Sequence, residues 1–274
     1  MNVAVNKKID IEVRRMDFEF KDNIPEFWYD NDPLLTLFLT ALSATFPEGE
    51  KQFIQAVRNY QGEITDPVLM KQIRAFIGQE AHHSKEHDAL NDLMKRKGYP
   101  VLRIEKRMAK MAKWMRSNWS KERQLANTIC AEHLTAIIAD YFMTKSPEEL
   151  DKIHEGVRAI WAWHIVEETE HKAVAFDVYK QTVNDDTLRR TQMVLLTVLF
   201  LLETGVSTVQ LLRESGRMGD MKMWFKAAKY FLGPKGMMVR LLPDYLTFYK
   251  KDFHPWDHDN RAYLKGMIDQ YITS

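Results

Sequence analysis

The chain has one cysteine, Cys130, among 274 residues, which excludes a disulfide framework and a thiolate-based metal site. Glycine and proline are scarce, at 11 and 9 residues, leaving little room for strand-and-turn architecture. An excess of one charge is also missing. The 39 basic residues face 38 acidic ones, so nothing global recommends nucleic acid as a partner. Long apolar runs are few: residues 193–202 form one, but it is about half of the roughly 20 residues a spanning helix needs, and Glu203 follows it. A buried or surface-lying helix is expected there. The start, MNVAVNKKIDIEVRR, lacks the apolar centre of a signal peptide, so a reducing, cytoplasmic setting is expected. What the chain does have is 45% hydrophobic residues, ample for a large core.

Residues 1–30 read as irregular. Asp32-Pro33 is an N-cap followed by proline at the first helical position, predicting a helix to about Ala44. Pro47 opens a second helix through Tyr60. Asp66-Pro67 opens a long third one, ended at Lys97 by Gly98. Residues 103–123 have helical period with Met108, Met111 and Met115 on one side, and a further helix spans about 121–144. Ser146-Pro147 starts one that runs to Val183, broken by Asn184-Asp185-Asp186. Two or three helices follow. The expected fold is all-α in a single domain, 1–274: a four-helix bundle over 31–186 with a helical cover over 187–274.

Four of these helices carry a carboxylate on their apolar face. Glu50 is followed by Phe53, Ile54 and Val57 at helical spacing, and Glu80 is preceded by Ile73, Phe76 and Ile77. Glu132 lies in line with Leu125, Ile129, Ala136 and Ala139, and Glu168 with Trp161, Ile165 and Ala175. A buried carboxylate is costly unless paired or bound to a cation, so four of them need a shared explanation. Histidines supply it. Glu80-x-x-His83 and Glu168-x-x-His171 place a carboxylate and an imidazole one helical turn apart, able to grip one ion together. A Glu from each of two helices and a Glu-x-x-His from each of two others is the ligand set of two-metal carboxylate bundles. His87 and His164 extend the two stripes by a turn and are expected as further ligands. His82 and His133 fall one step off, as supporting residues.

The segments Phe46-Pro-Glu-Gly-Glu50, Gln79-Glu-Ala-His-His83 through His87, Ala131-Glu-His133, Glu167-Glu-Thr-Glu-His171 and Phe253-His-Pro-Trp256 resemble the ferritin-like superfamily. Within it they are similar to the bacterial family of predicted metal-dependent hydrolases. His164-x-x-x-Glu168-x-x-His171 also resembles the metal helix of bacterial arylamine N-oxygenases, which implies a third nitrogen ligand at His164. In related bundles an acidic residue before each motif Glu orients a histidine across the site. The resemblance gives that role to Gln79 and Glu167, with Gln79 a neutral and weaker acceptor.

Carboxylate and imidazole donors without thiolate suit iron or manganese and tolerate zinc. Four carboxylates against two divalent ions make a neutral reduced centre, matched to dioxygen. The leading expectation is therefore a non-haem di-iron oxygenase or oxidase, needing dioxygen, an electron donor and a small organic substrate. No catalytic residue beyond the metal ligands is called for. The alternatives are a two-metal hydrolase and a non-catalytic iron-binding protein. Residues 221–250 mix aromatic, Met and Leu side chains with spaced Lys and Arg. Such a segment either lies at a membrane surface or packs on the bundle with its lysines reaching outward. Residues 187–250 would give a hydrophobic substrate an apolar route to Glu132, or else form a homodimer interface. His254 and His258 are expected in surface or packing roles.

Overall fold

The computed structural model describes residues 10–272, so the first nine residues of the opening segment lie outside it. Among the described residues the chain is all-α, with one isolated bridge between Tyr29 and Ile153 as its only β pairing. Helix α1 runs Pro33–Arg58, α2 Pro67–Arg96, α3 Val101–Asn118 and α4 Lys121–Asp140. The short α5, Glu148–Asp151, precedes α6, Glu155–His171, and α7, Val174–Thr182. Four more follow: α8 Asp186–Glu214, α9 Met221–Leu232, α10 Met237–Thr247 and α11 Arg261–Tyr271.

The helix starts follow local chemistry. Asp32, Asp66 and Ser120 each accept from a first-turn amide, at 3.0, 2.8 and 3.3 Å, satisfying donors that no helix can satisfy internally. Gly98, with φ +93°, turns the chain out of α2 in the left-handed region that glycine favours.

Two expectations about helix boundaries fail. Pro47 does not open a second helix; it lies inside α1. Proline has no N–H for the carbonyl four residues earlier, which normally breaks a helix. Here that carbonyl, on Ser43, accepts instead from Asn91 Nδ2 of α2 at 3.2 Å. The missing donor comes from a neighbouring helix, and α1 continues. The helix expected over 146–183 is divided into three. The helix is interrupted at 152–154, where Lys152 O accepts from Asp30 N at 2.8 Å and His154 N donates to Trp28 O at 2.7 Å. A second turn follows His171, where Lys172 Nζ reaches His258 O and Asn260 Oδ1, at 2.8 and 2.9 Å.

Helices α1, α2, α4 and α6 pack around a common axis, with α3 as the long crossover and α8 lying along α1 and α4. The apolar core is in two parts. One contains Leu42, Leu90, Ile160 and Trp163; the other contains Val57, Ile73, Phe76 and Ile129. Between them every bundle helix contributes buried polar side chains: Glu50, Glu80, Glu132 and Glu168 at 0–2% exposure, and His83 and His171 at zero. Burial of large apolar side chains on both sides, each contributing about 1.5–3 kcal/mol, holds this polar layer in place.

Helix α8 is longer than the apolar run 193–202 suggested. It is the one helix among the described residues long and apolar enough to cross a membrane. It is nevertheless tied to the bundle. Glu203 accepts from Arg107 of α3 at 2.9 Å, Gln192 donates to Asn127 of α4 at 3.0 Å, and buried Arg189 donates to Lys250 O at 2.8 Å.

The substitution for Pro47 gives a direct test. Asn91→Ala leaves the Ser43 carbonyl unpaired and should cost about 1–3 kcal/mol of stability. In a Pro47→Ala background a backbone amide is restored to that carbonyl, so the same Asn91→Ala change should cost measurably less. Denaturant unfolding of the four members of this cycle reads the coupling, and strict additivity would contradict it.

Candidate metal centre

Within the polar layer, side chains far apart in the chain meet, Glu50 and His164 being separated by 114 residues. His171 Nε2 lies 3.3 Å from Glu80 Oε1, 3.4 Å from Glu132 Oε2 and 3.6 Å from Glu168 Oε2. His83 Nδ1 lies 3.7 Å from Glu168 Oε1, and His164 Nε2 lies 3.3 Å from the same oxygen. Three overlapping groups hold donor atoms within 4.8 Å of one another: Glu50–His83–His164, Glu80–His83–Glu168 and Glu80–Glu132–His171.

Few of these contacts have hydrogen-bond alignment. Both oxygens of Glu80 and of Glu132, one of Glu50, both nitrogens of His83 and Nε2 of His171 are buried without a hydrogen-bond partner. Buried polar atoms are almost always paired, and a cluster of unpartnered anionic oxygens and imidazole nitrogens has the donor chemistry of a cation site. The residues present therefore fit a pair of divalent ions.

The outer contacts aim these donors. His171 Nδ1 meets Gln79 Oε1 at 2.9 Å, and His83 Nε2 lies 3.2 Å from Glu167 Oε2. Each motif's leading residue thus faces the histidine of the other motif, which presents His171 Nε2 and His83 Nδ1 inward. Gln79 Nε2 in turn donates to Glu170 Oε2 at 2.8 Å, and Arg14 grips Glu170 with both guanidinium ends, at 2.8 and 2.9 Å. Arg14 also donates its backbone N–H to Glu167 at 3.2 Å. Ser84 donates to Glu50 at 2.9 Å and Thr135 to Glu168 at 2.5 Å. Sequence reasoning missed Arg14, Glu170, Ser84 and Thr135. The last two lie on the ligand stripes, four residues after Glu80 and three after Glu132, and that spacing was the available signal.

His87 is a correction. It is expected as a ligand, but both its nitrogens are engaged: Nδ1 with Ser43 Oγ at 2.9 Å and Nε2 with His164 Nδ1 at 3.0 Å. The hydrogens along this path can be assigned. Asn91 Nδ2 faces the Ser43 carbonyl, so Asn91 Oδ1 accepts from Ser43 Oγ at 2.8 Å. Ser43, having spent its hydrogen, accepts from His87 Nδ1; His87 Nε2 then accepts from His164 Nδ1. His164 Nε2 is left with a lone pair facing Glu168, as a metal ligand requires. His87 thus sets the tautomer of His164 and has no nitrogen left over for an ion. His133 packs on Phe248 and Phe253 and faces Asp244 O, while His254 and His258 pair with Asp177 and Asp140; none enters a ligand group.

Burial dominates the proton affinities. It pushes Glu50 and Glu80 well above the usual carboxylate range, aided by neighbouring carboxylates, and Glu132 up to about 8. Burial holds His83 and His87 well below the ordinary imidazole value. Burial alone would also lower His171 and raise Glu168, but their mutual attraction reverses both, with His171 at about 9 and Glu168 well below its usual value.

These shifts predict how the metal-free chain responds to pH. Glu132 folds with a raised pKa, so its contribution to stability is complete below about 4.3, the unfolded value, and is lost as pH rises through about 8. Glu50, Glu80 and His171 act in the same sense. Glu168 opposes them, losing its contribution only as pH falls below about 4.3. Thermal unfolding of metal-free protein should therefore show Tm falling from pH 5 to 8. Added Mn²⁺ or Zn²⁺, which displaces protons, should raise Tm by more at pH 8 than at pH 6. A metal-induced shift that shrinks with rising pH would contradict the assignment.

Beside the layer lies a cavity of about 120 Å³. Glu50, His164 and Glu168 form its inner end, while Met108, Met111 and Phe200 line its outer part. Glu132, the expected end of an apolar route, does not line it.

A family model described as "Predicted metal-dependent hydrolase" matches residues 12–259. Comparisons with curated proteins and with solved structures find no significant match. The matched span includes every residue of the centre from Arg14 to His171, and the chain belongs to this family of predicted metal-dependent hydrolases.

Proposed function

We propose that the protein is a two-metal hydrolase acting on a substrate with a substantial apolar part. The cluster of buried, unpartnered carboxylate and imidazole atoms carries this reading, and the family description favours hydrolysis over oxidation. Glu50, Glu80, Glu132, Glu168, His83, His164 and His171 would hold the ions. Divalent ions there would supply Lewis acidity and an acidified water near neutral pH, and redox-active ones could instead work with dioxygen.

The chain's own contributions are positional. Gln79 and Glu167 orient the imidazoles of His171 and His83, and Thr135 fixes one oxygen of Glu168. Arg14 and Glu170 close the side of the centre away from the cavity. A substrate therefore approaches along the cavity side, between Phe53, Met108, Met111 and Phe200, where apolar contact contributes about 0.8 kcal/mol per methylene.

A second reading, a di-iron oxidase or oxygenase on a ferritin-like bundle, is favoured by one observation. Four carboxylates converge on the centre, the number that neutralises two divalent ions. Esterase assays on acyl-chain series and dioxygen uptake by the reduced iron-loaded protein separate the two. Hydrolysis without dioxygen consumption is expected. Dioxygen uptake coupled to substrate oxidation, with no hydrolysis, would transfer the assignment to the second reading.

Elemental analysis should find about two ions per chain. Glu80→Ala with Glu168→Ala should lower this at least tenfold while the far-ultraviolet circular dichroism stays helical. Full metal retention in that double variant would refute the ligand set. A cavity-filling change, Ala131→Phe, should leave metal content intact and raise KM for long-chain substrates more than for short ones.

A further inference from the structure

The cover helices leave a large apolar area in water. On α9, Phe225 and Leu232 are 76% and 67% exposed, and on α10 Leu242 and Leu246 are about half exposed. On α8, Val194, Val198 and Leu202 are exposed to a similar degree, and only 22% of its most apolar stretch is buried. Scattered exposed apolar residues are ordinary. These are not scattered: Leu201, Leu232, Met238 and Leu242, from three helices, line one apolar groove of about 540 Å³. The groove shares Leu134, Phe200 and Thr204 with the inner cavity that reaches Glu168.

Charge tells what covers this face. Residues 213–251 hold nine basic and three acidic residues, in a chain whose net charge is +1, so the remainder is net acidic. On α9, Lys222, Lys226 and Lys229 form one helical stripe about 100° from the stripe of Met221, Phe225 and Leu232. Among the described residues, Lys222, Lys229 and Lys235 have no carboxylate at ion-pair distance, and all three are exposed. An apolar stripe flanked by unneutralised lysines fits a lipid–water interface with anionic headgroups.

We propose that the α8–α9–α10 face docks on an anionic lipid bilayer, with Phe225 and Leu232 among the acyl chains and the flanking lysines against lipid phosphates. The groove mouth then opens toward the membrane interior, and a lipid acyl chain is the natural occupant of the path past Phe200. A second copy of the chain is a poorer fit, because a symmetric interface sets each patch against itself and brings like charges together. Docking is read without turnover, so it stands or falls apart from the hydrolase assignment.

Vesicle flotation of the full chain tests it. The protein should float with vesicles of phosphatidylcholine mixed with phosphatidylglycerol, remain unbound with phosphatidylcholine alone, and release as salt is raised. Phe225→Asp with Leu232→Asp should lower partition at least tenfold. Lys222→Glu with Lys229→Glu should do the same, since each surface lysine contributes roughly fivefold. These side chains are exposed, so circular dichroism and Tm should be unchanged. No flotation on anionic vesicles, or binding indifferent to both double variants, would overturn the proposal. So would a concentration-dependent dimer in sedimentation that Phe225→Asp dissolves, which would assign the face to a second copy.

Discussion

Four buried carboxylates gathered around shared histidines are what the rest of this molecule must accommodate. Taking an ionised carboxylate out of water costs several kcal/mol even after relaxation, and a like charge beside it adds to that. Two ways of meeting the cost are visible. Protons remain on Glu50, Glu80 and Glu132 at pH values where an exposed glutamate would have lost them. Alternatively, cations take the place of those protons. The same burial that makes the cluster expensive makes it receptive to a cation, because unpartnered oxygens and nitrogens have no competing hydrogen bonds to give up.

The bundle is organised to sustain that layer. Apolar packing is interrupted within α1, α2 and α4 and toward the C-terminal end of α6, and apolar cores flank the layer on either side. The remaining polar neighbours are recruited from outside the four helices. Arg14, on a segment without secondary structure, reaches Glu167 and Glu170 and ties the back of the centre to the chain's N-terminal arm. Ion binding would thus report on the arm's placement as well as on the bundle.

Much of this was legible in the residues. The all-α class followed from scarce glycine and proline and from helical period. The Glu-x-x-His spacing, with Glu50 and Glu132 on apolar stripes, brought the same six side chains to one place as the structure does. What could not be read depended on partners distant in sequence. Pro47 looks like a helix start until Asn91, 44 residues later, supplies the missing donor. The break at 152–154 depends on pairing with Trp28 and Asp30. His87 has ligand spacing, and only its contacts with Ser43 and His164 show why it is otherwise occupied. Arg14 carries no periodic signal at all.

The path from Asn91 through Ser43 and His87 to His164 also governs proton traffic. It is a wire with a dead end: each member donates toward Asn91, whose amide oxygen holds a hydrogen from Ser43 and can pass it no further. A proton arriving at His164 Nε2 could not be drained through the bundle, and none could be delivered from that side without reversing every bond. Buried His87 resists becoming an imidazolium, which seals the wire further. The cavity beside Glu50, His164 and Glu168 is a separate opening to the centre that this path does not block. An apolar occupant of that cavity would displace water from beside His164 and Glu168, so filling the cavity would also remove the water through which those side chains could exchange protons.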